Sequence, residues 1–223
     1  MEELLLKLAT CIEKGKVNLQ SPFPPDMKGQ EGAVELTQKA LDIGIKPNEI
    51  LNNGLMKGMK VIGEKFRDNI IFVPDVLISA KAMSSAMILL RPHFQSGDIR
   101  HKDSIALGTV TGDLHDIGKK LVGMVIEGGG WNVIDLGVDV SADKFIKAIE
   151  ENSLKFIGMS ALLTTTMQNM AAIVKRIKEV HPEVNIIIGG APISRDFAEK
   201  IGADAYSSNP QGALEYINSV YAS

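Results

Sequence analysis

Thr111-Gly112-Asp113-Leu114-His115-Asp116-Ile117-Gly118-Lys119 joins an apolar run, Ser104 to Val110, to a helical pattern that begins at Ile117. The run is built of small and β-branched residues and reads as a strand buried in a parallel sheet. The stretch therefore lies where the carboxyl end of a strand meets the start of a helix. Open α/β sheets bind their ligands at that position. It carries one imidazole, His115, between two carboxylates, Asp113 and Asp116.

Working outward, the segments that follow alternate strictly. Strands are expected at Ser104–Val110, Asn132–Leu136, Phe156–Ser160, Asn185–Ile188 and Ala205–Ser207. Helices are expected at Ile117–Glu127, Ala142–Glu150, Thr166–Val180, Ser194–Lys200 and Gln211–Val220. Such alternation predicts an α/β fold, a flavodoxin-like (Rossmann-type) five-stranded parallel sheet, over residues 104–223. Upstream the periodicity is helical. One helix runs from Glu2 to about Lys14, and a Pro- and Gly-rich loop, Gly15 to Gly29, follows it. A second spans about Glu31 to Ile43, with Gly44 placed as its C′ residue. A third opens at Pro47 and carries Ile50, Leu51, Leu55, Met59, Ile62 and Phe66 on one face. A fourth opens near Pro74 and is expected to stop at Pro92. These predict a four-helix bundle over residues 1–95, joined by a polar linker, 96–103, to the sheet domain.

Composition narrows the function classes. The 223 residues are 45% hydrophobic and 23% charged, an ordinary globular balance. A net charge of −3 gives no basic footprint for nucleic acid. Cys11 is the single cysteine, which excludes an internal disulfide and a thiol cluster and fits a reducing compartment. Met1-Glu2-Glu3 is acidic where a signal peptide is basic, and no apolar run reads as membrane-spanning. The expectation is a cytoplasmic protein with no nucleic-acid and no membrane partner.

Neutral imidazole binds a metal through one ring nitrogen while the other donates to a carboxylate, which fixes tautomer and orientation. Asp113 stands two residues before His115, within reach of the ring. A lone histidine in such a loop is also, commonly, a capping or surface residue. A protein-only zinc cage needs further ligands. His93, His101 and His181 lie in no strand-end loop, and Cys11 lies in the other domain. A single histidine suits a metal whose remaining ligands come from a macrocycle. Two further signals fall at strand ends on the same sheet edge. Ser160-Ala161-Leu162 follows Gly118 after 41 residues, and Gly189-Gly190 follows Leu162 after 26.

Asp-x-His-x-x-Gly, Ser-x-Leu and Gly-Gly, in that order and at those gaps, resemble the signature of cobalamin-binding domains that hold the corrinoid base-off. The resemblance implies that His115 is the lower axial ligand of cobalt and that Asp113 accepts its other ring N–H. It implies a hydroxyl six residues after Ser160; this is Thr166, where methionine synthase has Ser. The loop residues Leu114, Asp116, Ile117 and Gly118 would also contact the cofactor. The displaced nucleotide tail would pass Ser160, Leu162 and Thr164, with Gly189 and Gly190 near its base and Ser208, Asn209 and Pro210 touching it. Upstream, Phe66-Arg67-Asp68 through Phe72-Val73-Pro74-Asp75-Val76 and Ala80-Lys81-Ala82-Met83 is similar to the helical cap of methionine synthase and of small corrinoid proteins. That likeness implies that Phe66, Val73 and Val76 cover the upper face of the corrin; periodicity alone makes them bundle core.

A cap plus a corrinoid domain, with no barrel and no helix-turn-helix, implies a corrinoid methyl carrier. It would accept a methyl group on Co(I) from a substrate-specific methyltransferase. It would donate it to a second methyltransferase, with tetrahydrofolate or a thiol such as coenzyme M as acceptor. The cofactor would be cobalamin or a related corrinoid, methylcobalamin in turnover, and a reductive activase would be a third partner. His115 would bind and leave as the metal cycles, with residues 96–103 as the hinge of the cap. The competing readings are the cobalamin-binding subunit of a mutase, which lacks the cap, a cobalamin sensor or storage protein, and a flavodoxin-like domain with no corrinoid. The colour of the purified protein separates the last from the others. The identity of the methyl donor resides on the partner enzyme.

Overall fold

The computed structural model describes residues 1–95 and 101–222. Two compact units form: Met1–Lys102 with Gly128–Gly130, and Asp103–Glu127 with Trp131–Ser223. Of the expected linker, residues 96–100 lie outside the described residues.

The first unit is helical. It holds α1 (Glu2–Lys14), α2 (Ala33–Asp42), a third run passing from α3 (Pro47–Glu49) through a π-helical segment (Ile50–Met56) into α4 (Lys57–Arg67), and α5 (Val73–Gln95). Gly15 ends α1 at φ 71°, and its N–H and that of Lys16 bond back to the carbonyls of Ile12 and Cys11. The Pro- and Gly-rich loop is tied down by Lys16, whose buried Nζ donates to the Ser21 carbonyl at 2.7 Å. Glu35 accepts from the N–H groups of Leu19 and Gly32. Gly54 and Gly58 bring the third run against α1: a Cβ on Gly58 would stand 2.4 Å from the Ala9 carbonyl oxygen. Leu8, Ile12, Ile50, Leu55, Met59 and Leu90 are among its fully buried side chains.

One expectation is corrected here. Pro92 does not stop the last helix, which continues to Gln95. Proline removes only the bond to the carbonyl four residues earlier, and Ile88, which loses that partner, is exposed to water. The window Val73–Leu90 is, by length and composition, apolar enough to cross a membrane, with mean hydropathy 1.5 over 18 residues. Asp75, Ser79, Lys81, Ser84 and Ser85 interrupt it, and the same helix supplies Val76, Ala80, Met83 and Leu90 to the buried interior.

The second unit is a five-stranded sheet of β1 (Ser104–Thr109), β2 (Asn132–Asp135), β3 (Phe156–Ser160), β4 (Asn185–Gly189) and β5 (Ala205–Tyr206). All pairs are parallel and the order is β2-β1-β3-β4-β5. Helices α6 (Ile117–Gly128), α7 (Ala142–Asn152), α8 (Met167–Val180), α9 (Arg195–Ile201) and α10 (Pro210–Tyr221) connect and follow the strands. Serine and asparagine caps set three of the helix starts: Ser141 accepts from Lys144 N–H, Ser194 from Phe197 N–H and Asn209 from Gly212 N–H. One sheet face buries Ala106, Ile157, Ile186 and Ile188 against Phe145, Ile173 and Ile177. The chain reverses direction across the sheet between β1 and β3, so their loops flank the crevice at the strand ends.

Candidate functional site

Val110 to Asp113 is a β-turn closed by Asp113 N–H on the Val110 carbonyl at 3.0 Å. Gly112 occupies its third position at φ 83°, the left-handed value a type II turn requires. The turn delivers Asp113 to a fully buried position, 0% exposed. One carboxylate oxygen, Oδ1, accepts from His115 N–H and from the His115 ring at Nδ1, both at 3.0 Å. The other, Oδ2, accepts from Leu162 N–H at 2.7 Å and from Leu163 N–H at 3.4 Å, across in the loop after β3. Burial pushes the Asp113 carboxyl up, but the bonds from Leu162 and His115 N–H, Thr166 and the His115 ring outweigh it and hold the group well below the usual carboxylate range. An ionised carboxylate only accepts, so the His115 ring donates from Nδ1, and in the neutral ring Nε2 carries the lone pair. The ring is 55% exposed.

Thr166 Oγ1 completes the set, donating to Asp113 Oδ2 at 2.8 Å, with the Leu163 carbonyl also at 2.8 Å. Thr166 is the N-cap residue of α8, yet its side chain makes no cap bond. The hydroxyl that caps a helix elsewhere is diverted to Asp113. Thr166→Val is therefore expected to destabilise the fold by about 2 kcal/mol, the worth of a buried bond to a charged group. Thr166→Ser should stay close to wild type, and urea unfolding of the two variants reads the difference.

Beside His115 opens a cavity of about 650 Å³. Its floor is the second sheet face, Ile105, Leu107, Gly158 and Ile187, and its sides are Leu121, Val122 and Ile126 of α6 and Ala213 of α10. Gly158 keeps the floor low: a Cβ there would meet the Leu107 side chain at 2.5 Å. At the mouth stand Leu114, His115, Asp116, Ile117 and Gly118 on one side, and Ser160, Leu162, Gly189 and Gly190 on another. Ser208, Asn209 and Pro210 line a third. Leu114 is 73% and Ile117 70% exposed, so apolar side chains flank the imidazole at the surface. Gly118 has nothing within 4 Å of where a Cβ would stand, whereas a Cβ on Gly190 would lie 1.8 Å from the Ala161 carbonyl oxygen. An exposed nitrogen donor, an apolar surround and a deep apolar slot suit a flat macrocycle carrying a bulky appendage.

The structure thus brings Asp113, His115, Ser160, Leu162, Thr166 and the two glycines together. Thr164 is exposed and does not line the cavity. Phe66 lies in the last turn of α4, Val73 opens α5 on the surface and Val76 is buried, all three within the helical unit. Sequence reasoning missed Thr109, whose buried hydroxyl donates to the His115 carbonyl at 2.9 Å and lies 3.0 Å from Ser160 Oγ. It missed Gly158, although an isolated glycine inside a strand signals a close approach. It also missed Lys119, a buried residue of the cavity wall that ion-pairs with Asp135.

Comparison with known proteins leads to the same cofactor class. Residues 104–214 match a family described as a B12 binding domain, and residues 29–91 match a second family of the same description. A corrinoid protein of Desulfitobacterium hafniense is 37% identical over 198 residues, covering 86% of this chain and 92% of the relative. Monomethylamine corrinoid protein 2 of Methanosarcina acetivorans is 41% identical over 190 residues, 82% of this chain and 88% of the relative. Among solved structures, the methanol:cobalamin methyltransferase complex of Methanosarcina barkeri holds a chain that superposes with a TM-score of 0.81. It is 27% identical, and the match covers 99% of this chain and 80% of that one. A cobalamin-binding protein from Desulfitobacterium hafniense gives a TM-score of 0.75 at 26% identity, over 96% of this chain and 97% of that one. With both units matched and the relatives covered almost end to end, the chain belongs to the family of B12-binding corrinoid proteins.

Proposed function

We propose that the chain is the methyl-carrying corrinoid protein of a methyltransferase system. The observation that carries the reading is the imidazole of His115, held through Nδ1 by a buried carboxylate with Nε2 left to bind a metal, at the mouth of the apolar cavity. The family supplies the cofactor class, cobalamin or a related corrinoid, whose cobalt carries the methyl group when bound. In this reading His115 would hold the cobalt through Nε2, and the slot over Leu107, Gly158 and Ile187 would take the nucleotide tail of the corrinoid. Asp113 and Thr166 keep Nε2 aimed and basic. Leu114 and Ile117 exclude water around the imidazole.

Relatives of this length include trimethylamine and monomethylamine corrinoid proteins, and the solved complex is a methanol:cobalamin methyltransferase. They support a small methylated amine or alcohol as methyl donor and a methyltransferase as partner; in our reading a second methyltransferase collects the methyl group. The helical unit, residues 1–95, is assigned as the cap and residues 104–223 as the corrinoid domain, joined at 96–103. The decisive experiment labels wild type and His115→Ala with ¹⁵N-histidine, loads both with cobalamin, reduces cobalt to Co(II), and records electron paramagnetic resonance. Wild type is expected to show the two-line superhyperfine splitting of a ¹⁵N imidazole, and His115→Ala to lose it and show at most the three-line splitting of the cofactor's own base. Retention of the two-line splitting in the variant would remove His115 from the site.

A further inference from the structure

We infer that Asp139 and Asn169 are positioning residues for His115, acting through the one peptide group, Thr111–Gly112, that both of them hold; this rests on the reading of His115 as a cobalt ligand. In a β-turn the orientation of the central peptide separates type I from type II. In the Val110–Asp113 turn that peptide is Thr111–Gly112. Its N–H, on Gly112, donates to Asp139 Oδ1 at 2.8 Å. Its carbonyl, on Thr111, accepts from Asn169 Nδ2 at 2.7 Å. The two side chains approach opposite edges of the same plane, one from the loop before α7 and one from the first turn of α8. A flip to type I breaks both bonds at once.

Asp139 does more than hold that edge. Its own N–H donates to the Asp113 carbonyl at 3.1 Å, so it grips the turn at two points. It does so at φ 53°, a left-handed conformation uncommon for a residue with a side chain and tolerated best by Asp and Asn. Both residues are exposed, so neither serves as core. Asp113 is the last residue of the turn, and everything downstream hangs on where it delivers its carboxylate. The His115 N–H and ring share Oδ1, while Leu162 N–H and Thr166 share Oδ2. Freeing the peptide lets the turn sample type I, and the carboxylate then loses its register with these donors. The imidazole direction spreads accordingly.

The test compares the full-length chain with Asp139→Ala, Asn169→Ala, the double variant, Asp139→Asn and His115→Ala. Cofactor-free protein labelled with ¹⁵N-histidine reports the His115 tautomer by NMR. Cobalamin-loaded, Co(II) protein with the same label reports by paramagnetic resonance the ratio of cobalt ligated by ¹⁵N, with its two-line splitting, to cobalt that is not. Each alanine variant is expected to lower that ratio about five-fold, the equivalent of one net hydrogen bond, and to mix the tautomers. The double variant should lower it by less than the product of the two, since both act on one peptide. Asp139→Asn should restore the ratio, because an amide oxygen still accepts from Gly112 and asparagine tolerates the left-handed backbone. A role confined to general stability would lower the melting temperature and leave the ratio in folded, loaded molecules unchanged. If both single variants keep the ratio within about two-fold of wild type, the inference is overturned. Should Asp139→Ala fail to fold, Asn169→Ala decides by the same criterion. If His115→Ala keeps the ¹⁵N signal, the ligand reading itself is what fails.

Discussion

Asp113→Ala is expected to lose about 3 kcal/mol or more of stability, because it removes the acceptor shared by His115 N–H, Leu162 N–H and the Thr166 hydroxyl and empties a fully buried position. Leu162 N–H at 2.7 Å and His115 N–H at 3.0 Å have the Asp113 carboxylate as their acceptor, and the residue is fully buried. Thr166 suffers less, since the Leu163 carbonyl lies at 2.8 Å from its hydroxyl. Asparagine does not rescue. Both carboxylate oxygens accept more than one bond, so an amide turned either way sets its NH2 against Leu162 N–H or against the His115 donors. Affinity for cobalamin should fall about 10- to 100-fold in either variant, the usual loss when a ligating histidine is stripped of its carboxylate. Denaturant unfolding and equilibrium titration read the two effects separately.

The same carboxylate writes a pH dependence. Hydrogen bonds hold the folded group below its ordinary range, so the folded state gives up this proton more readily than the unfolded chain does. Its contribution is complete above the unfolded value of about 3.9 and is lost as the pH falls below it. The stability gap between wild type and Asp113→Asn is therefore widest near neutrality and narrows below about pH 4. A gap that is constant from neutrality down to strong acid would contradict the ionised, hydrogen-bonded carboxylate.

What could be read from the chain beforehand follows the range of the forces involved. The five strands were legible because each is a short apolar run, and the helices because apolar residues recur at helical spacing. The π-helical segment was not: Ile50, Leu51 and Leu55 are spaced as any helix spaces its core residues. Asp113 and His115 are neighbours in sequence, and chemistry alone pairs them. Thr166 stands 53 residues away, and its link to Asp113 was readable only through a family resemblance. Asn169 and Thr111, 58 apart, carry no local signal at all, since a polar residue in a first helical turn is commonplace. The cavity is likewise a property of the assembled sheet, whose floor residues Ile105, Leu107, Gly158 and Ile187 come from three separate strands.

Gly190→Ala tests whether the fourth strand's end is built around an approach that only glycine permits. Its φ of 134° is unfavourable for any side chain, and its Cβ would lie 1.8 Å from the Ala161 carbonyl oxygen and 2.9 Å from the carbonyl carbon. These are backbone atoms, so no rotamer change relieves the clash. The loop after β3 has to move, and with it Leu162 N–H, which bonds Asp113. A loss of about 3 kcal/mol or more is expected, together with loss of cobalamin binding. Gly118→Ala supplies the contrast. Its Cβ meets nothing within 4 Å, and alanine raises helix propensity by up to about 1 kcal/mol. That variant should melt no lower than wild type yet bind cobalamin more weakly, because the new methyl stands at the cavity mouth beside His115. Wild-type affinity in Gly118→Ala would place the macrocycle away from the start of α6. If Gly190→Ala stays folded and retains affinity, the loop after β3 yields without disturbing Asp113, and the tight crossing is not what holds the site together.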